Sequence, residues 1–214
     1  MRFKELANRG INVLEKINAI RVALEKECYL PALALALTLP DICGQIEYPE
    51  LIRKNGSRLV GQQYKKWFKE WVGHYYADHT GFKQNGKYPK NPYFTDEMCY
   101  QLRCAYLHSG NSDIDEFGEK EDKQFKYIYH FSLSVNGGES YGTWWEEPQL
   151  NVDKMFKHRT VCIDVVKLCE FLCCAAEKYY NTKEDKKVFY EHQISITDIQ
   201  RKAFEIQKLN SRNK

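Results

Sequence analysis

Apolar residues recur along the first part of the chain at the spacing of a helix that buries one face. Phe3, Ala7, Leu14, Ile17, Leu24 and Cys28 keep the helical period, with a break near Gly10, and predict a first helix from about Phe3 to Cys28. A second helix is expected after Tyr29. Pro31 is tolerated in its first turn, where a missing N–H costs no intrahelical bond. Ala32 to Thr38 is apolar on every side, the pattern of a central, fully buried helix. Pro40 ends or kinks that helix, and Asp41 stands where a side chain caps the turn that follows.

Pro49 to Gly56 reads as a loop, after which the helical period returns from about Arg58 to Tyr76. Leu59, Val60, Tyr64, Trp67, Phe68, Trp71 and Val72 form its apolar face, and lysines occupy the other. Asp78 to Asn91, with Gly81, Gly86 and Pro89, is a polar loop. Thr95 then starts a further helix, with Asp96 and Glu97 favouring its positive end. Met98, Leu102, Ala105 and Tyr106 or Leu107 give it a buried stripe, and Gly110 terminates it.

Beyond this point the period shortens to two. Phe125 to Val135 alternates aromatic and β-branched residues, and Asn136-Gly137-Gly138 supplies a tight turn into Ser140 to Trp145, which predicts a β-hairpin. Trp144 and Trp145 either cover an edge of the core or offer a stacking surface to a base. Helical periodicity resumes near Val161 and persists to Tyr180, with Val165, Leu168, Cys169, Leu172, Cys173 and Ala176 inside. From Asn181 onward the chain is charged, and a thin stripe of Ile199, Ala203, Ile206 and Leu209 allows a peripheral helix. The expected fold is mainly α. It comprises a single helical domain over residues 1–182, with residues 124–146 as an inserted hairpin and a peripheral charged segment at 183–214.

A composition of 43% hydrophobic and 29% charged residues suits a folded globular domain rather than a disordered chain. No apolar run approaches the ~18–20 residues that span a bilayer, since Leu30 to Leu39 is short and broken by Pro31 and Pro40. The N-terminus lacks the pattern of a secretory leader, so the expected location is the cytoplasm, without membrane association. The cysteines form no C-x-x-C pair. Cys162, Cys169 and Cys173 are spaced as one helix face, and the eight thiols read as buried and free. His74 and His79, with Asp78, are poorly spaced for a metal site, and neither metal nor cofactor is expected.

Charge is unevenly distributed. Between Leu51 and Pro92, nine basic residues (Arg53, Lys54, Arg58, Lys65, Lys66, Lys69, Lys83, Lys87 and Lys90) face only Glu70 and Asp78. That segment is therefore +7 in a chain of net charge +3. It is either a solvated lysine face or an attractor for an anionic partner such as RNA, with Lys65, Lys66 and Lys69 the candidate contacts.

The stretch with readable chemistry is Tyr100 to Gly110, where Arg103 is followed after four residues by His108 at a helix end. Cleaving an RNA phosphodiester without metal needs a base for the 2′-hydroxyl and a cation for the charge that grows on phosphate. Histidine exchanges protons near neutral pH, and arginine offers permanent charge on a planar fork. On an ideal helix, positions five apart lie ~140° apart. Convergence therefore requires a tightened last turn, a long reach by the arginine, or two subunits meeting at a cleft. The plain alternatives are a histidine favoured by the helix dipole and an arginine paired with a carboxylate. Asp41 is a candidate for that pairing as well as for capping.

Three stretches together, Leu35 to Gly44, Lys66-Trp67-Phe68 and Tyr100 to Gly110, resemble bacterial members of the HEPN superfamily (higher eukaryote and prokaryote nucleotide-binding). The likeness spans roughly Tyr29 to Tyr180, and Arg103-Cys104-Ala105-Tyr106-Leu107-His108 matches the R-x4-6-H signature. The resemblance implies a four- to five-helix up-and-down bundle and a two-fold homodimer. In catalytic branches it implies metal-independent RNA cleavage, with Arg103 on the phosphate and His108 transferring protons. Those branches usually carry a polar residue after the arginine, where this chain has Cys104. The resemblance thus also admits a non-catalytic RNA- or nucleotide-binding module or a protein scaffold.

Overall fold

The computed structural model describes residues 10–77, 94–109, 113–114, 125–138, 140–146, 155–192, 194–195, 199–200, 203–204 and 208. Helices build the core. The expected first helix begins later than its apolar period suggests: Gly10–Ile11 is a short strand, β1, and α1 spans Val13–Glu25. Asn12 sets that boundary. Its side chain accepts from Glu15 N at 3.0 Å while Glu15 Oε2 accepts from Asn12 N at 3.2 Å, a reciprocal capping box. Residues 1–9 lie outside the described residues.

Helix α2, Tyr29–Ala36, carries Pro31 in its first turn as expected. It is not buried all round. Ala32, Leu33, Ala36 and Leu37 are sealed in the core, whereas Ala34, Leu35 and Thr38 are half-buried. Pro40 starts a helix rather than ending one, because α3 runs Leu39–Glu47 with the proline in its first turn. The stretch Tyr29–Glu47 is apolar enough by composition to cross a membrane, but it is two helices with one face in the core.

Helix α4 spans Val60–Trp71 and continues into a 3₁₀ turn at Gly73–Tyr76. Tyr64, Trp67 and Phe68 project from it into the centre, fully buried. Trp67 stacks on Trp71 at 6.4 Å and meets the edge of Tyr179 at 5.9 Å. The capping expected at Thr95 is present: it accepts from Met98 N at 3.3 Å and opens α5, Asp96–Cys104. Gly110 and the whole of the expected 78–91 loop lie outside the described residues.

The β region departs from expectation. A two-residue strand, β2 (Asp113–Ile114), flanks β3 (Phe125–Ser134), and β4 is Ser140–Glu146. Strands β3 and β4 do not pair with each other, so the predicted hairpin is absent. Between them lies β5, Met155–Asp164, giving the order β2-β3-β5-β4. β5 is parallel to β3, from Phe125↔Met155 to Ser134↔Asp164, and antiparallel to β4. The turn is held elsewhere. Asn136, Gly137 and Gly138 all take positive φ (62°, 106° and 97°), and Gly137 N donates to Asp164 Oδ2 at 2.6 Å. Asp164 Oδ1 accepts from Val166 N and Lys167 N, capping α6, Val165–Thr182. One buried carboxylate thus ties the glycine turn to the end of β5, the strand that displaces the hairpin. The helical pattern assigned from Val161 begins as strand, with Val161 and Ile163 buried on alternate positions.

Helix α6 closes the core with Leu168, Cys169, Leu172, Cys173, Ala176 and Tyr179. The segment after residue 182 is less peripheral than its charge suggests. A short helix α7, Lys187–Tyr190, inserts Phe189 against Tyr179 and Tyr180, and β6, Ile194–Ser195, pairs antiparallel with β1. Ile199 and the side chain of Phe204 are exposed.

Cys43, Cys99, Cys169 and Cys173 are buried free thiols as expected, Cys28 is exposed, and Cys162 stands on β5 rather than on the α6 face. Burial pushes the Cys99 and Cys173 thiols up to about 12. Since the thiolate is the reactive form, a thiol reagent at mildly alkaline pH should label Cys28 first. Those four buried thiols should react only after denaturation. Peptide mass spectrometry of native and unfolded protein checks this, and fast native labelling of Cys99 would contradict it.

Candidate active site

The site grows from a close approach of two helices. A Cβ on Gly44 would stand 2.6 Å from the Gln63 carbonyl oxygen, so only glycine lets α3 lie this near to α4. That packing brings Asp41, in the first turn of α3, beside Arg58, just ahead of α4. Asp41 does not cap its helix, and Thr38, the residue in the capping position, makes no capping bond either. The Asp41 carboxylate instead bridges two arginines. Oδ1 accepts from Arg58 Nη2 at 2.9 Å, and Oδ2 accepts from Arg103 Nη2 at 3.1 Å. Arg58 is fixed further by Nε donating to Gln63 Oε1 at 3.0 Å, and Gln63 donates in turn to the Tyr48 carbonyl.

Arg103 closes the network. Its Nη1 lies 3.0 Å from His108 Nε2. A guanidinium only donates, so in this contact Nε2 is the acceptor through its lone pair. The pair meets within one chain because the helix end widens. Ala105–Ser109 is a π-helical turn, whose i→i+5 bonding places residues five apart nearly above one another. The convergence that an ideal helix forbids is therefore achieved by loosening the last turn, opposite to the tightening considered from sequence. Tyr106 Oη, which donates to the Leu30 carbonyl at 3.0 Å, anchors this turn to α2.

Electrostatics keep the guanidinium charged. Burial works against its charge, but the Cys104 contact at 4.0 Å and the Asp41 carboxylate outweigh it and hold its pKa above the ordinary arginine value. The Arg103 side chain is 17% exposed, Asp41 21% and Arg58 32%, and His108 is exposed. The cluster thus opens to solvent at its imidazole end. Other carboxylates of α3, α4 and α5 bond elsewhere: Glu97 with Lys65 at 2.5 Å, Glu47 with Lys183 at 2.5 Å, and Glu70 with Tyr48 Oη at 2.6 Å.

Among the described residues the lysines singled out from sequence make no bond to this cluster, although Lys65 stands 5.8 Å over the ring of the adjoining Tyr100. Lys65 pairs with Glu97, Lys66 sits 4.0 Å over the Tyr48 ring, and Lys69 is exposed late in α4. Lys83, Lys87 and Lys90 lie outside the described residues, as do Asp78 and His79. His74 is exposed beside Tyr75. Among the described residues, no three His, Cys, Asp or Glu side chains gather as metal ligands. β4, which carries Trp144 and Trp145, is an edge strand of the sheet.

Sequence reasoning missed two features. Arg58 was one of nine basic residues with nothing to single it out, since its link to Asp41 is purely tertiary. His130 and His158, on neighbouring strands, lie 2.9 Å apart (Nε2 to Nδ1), and the unpredicted parallel pairing of β3 with β5 is what joins them. The chain matches no protein-family model, no curated protein and no solved structure.

Proposed function

We propose that Arg103 and His108 form the catalytic pair of a metal-independent endoribonuclease of defence or toxin type, built on an HEPN-like up-and-down bundle and working as a homodimer. The observation that supports this reading is the 3.0 Å contact between guanidinium and imidazole across a π-helical turn, with the imidazole open to solvent. Such turns are rare and occur often at functional sites. In the proposed reaction Arg103 Nη1 exchanges His108 Nε2 for a phosphate oxygen, and Nε2 takes the proton of the 2′-hydroxyl. The O2′–P bond forms as the P–O5′ bond breaks, the arginine stabilises the added negative charge, and the departing 5′-oxygen takes a proton from water or from the second subunit's imidazolium. The products are a 2′,3′-cyclic phosphate and a 5′-hydroxyl.

Purified protein in EDTA should cleave mixed RNAs, and His108→Ala should lose ~10²–10⁴ of the rate. Equal cleavage by the two proteins removes the proposal. A second reading is favoured by Cys104 beside Arg103 and by the tie of Arg103 to Asp41. In that reading the same cationic cluster holds RNA without turning it over, and the assay returns RNA retained but intact.

A further inference from the structure

We infer that Arg58 is a second phosphate-binding group of this site, and that the loop it closes carries the RNA backbone away from the Arg103/His108 pair. The inference rests on the nuclease reading for its choice of RNA as ligand, but not on catalysis. Two guanidiniums grip the two oxygens of one carboxylate, so Arg58 and Arg103 are held side by side with one positive charge in excess. Glu97 and Glu47 are paired with Lys65 and Lys183, Glu70 accepts from the Tyr48 hydroxyl, and Glu191 and Arg58 both act on the His192 imidazole, so among the described residues Asp41 is the carboxylate bonded to the two guanidiniums. None of the bonds that fix Arg58 uses Nη1: Nε serves Gln63, and Nη2 serves Asp41 through its carboxylate and its carbonyl. The guanidinium is thus oriented from behind while its other arm keeps hydrogens to donate. Such preorganisation suits a planar fork that binds phosphate oxygens.

The chain before Arg58 extends the track. Ile52 bridges to Arg58, Arg53 N bonds the Ser57 carbonyl at 2.7 Å, and Gly56 turns with φ at +81°. This narrow loop has Arg58 at its neck and exposed Arg53 and Lys54 further out. A single strand with one phosphate at Arg103 would meet the next at Arg58 and later ones at Arg53 and Lys54. Lys65 and Lys66, held by Glu97 and Tyr48, have less freedom to follow it.

Binding of a short fluorescein-labelled single-stranded RNA, followed by anisotropy in the His108→Ala background, tests this without cleavage intervening. Adding Arg58→Gln should weaken binding about tenfold. It should also reduce the slope of log K against log salt by about 0.7, as expected for one phosphate contact on a single strand. Binding within twofold of the parent, with an unchanged thermal melt, overturns the inference, whether or not wild type cleaves RNA. If Arg58→Gln melts lower, the paired change Arg53→Gln and Lys54→Gln decides, because both side chains are exposed. Weaker binding and a shallower slope then support the track, and binding within twofold overturns it. A parent that binds no RNA overturns it as well.

Discussion

Trp67→Ala should lower the unfolding free energy by about 3–5 kcal/mol, the range for removing a large aromatic from a packed core. Trp67 is fully buried, stacked on Trp71 and edge-on to Tyr179, and so joins α4 to α6. Truncation would leave a cavity between two helices whose backbones are fixed elsewhere, α4 by Gly44 of α3 and α6 by its cap at Asp164. Little collapse is available to offset the loss. Since domains are stable by only about 5–15 kcal/mol, the variant should be marginal at room temperature. Urea denaturation followed by circular dichroism measures the difference, and a loss below about 1 kcal/mol would mean that α4 does not pack in this orientation.

The second large effect is expected at Asp164. Its carboxylate accepts from Gly137, Val166 and Lys167, and it is 2% exposed. Asp164→Ala removes a helix cap and leaves the half-buried Gly137 N–H without its partner, at a combined cost of about 3 kcal/mol. Asp164→Asn keeps an oxygen that serves either the cap or the turn and should cost less. The contrast between the two variants, read from thermal melts, isolates hydrogen bonding from volume. Equal melting temperatures for Asp164→Ala and wild type would reject the linkage of turn to helix.

What the chain revealed in advance was local. Thr95 with Asp96 and Glu97 announced the start of α5, and the aromatic face of α4 was plain in Tyr64, Trp67 and Phe68. Asn12 and Glu15 spell a capping box, yet the apolar period running back to Phe3 concealed it. Local pattern and structure part where a distant segment decides the outcome. Phe125–Ser134 and Ser140–Glu146 were legible as strands, but their partner was β5, whose Val161-Cys162-Ile163 reads equally well as the start of a helix. The Asn136-Gly137-Gly138 turn fits a hairpin until Asp164 takes hold of it from across the sheet.

At the site, Arg103 and His108 were identifiable by type and spacing, while their contact was not. Ideal helical geometry separates them, and nothing in Ala105-Tyr106-Leu107 advertises a π-turn. Asp41 showed the same ambiguity: in sequence it suits a cap, and in three dimensions it serves two arginines.

A wide turn is what a helix forms when it houses one residue more than its regular winding accommodates. The meeting of imidazole and guanidinium therefore depends on a count, and it is gained or lost in whole-residue steps rather than tuned by degrees. Comparing chains by which side chains they possess would overlook this. Two proteins with the same arginine and histidine, differing by a single amino acid between them, would differ in whether those groups ever touch.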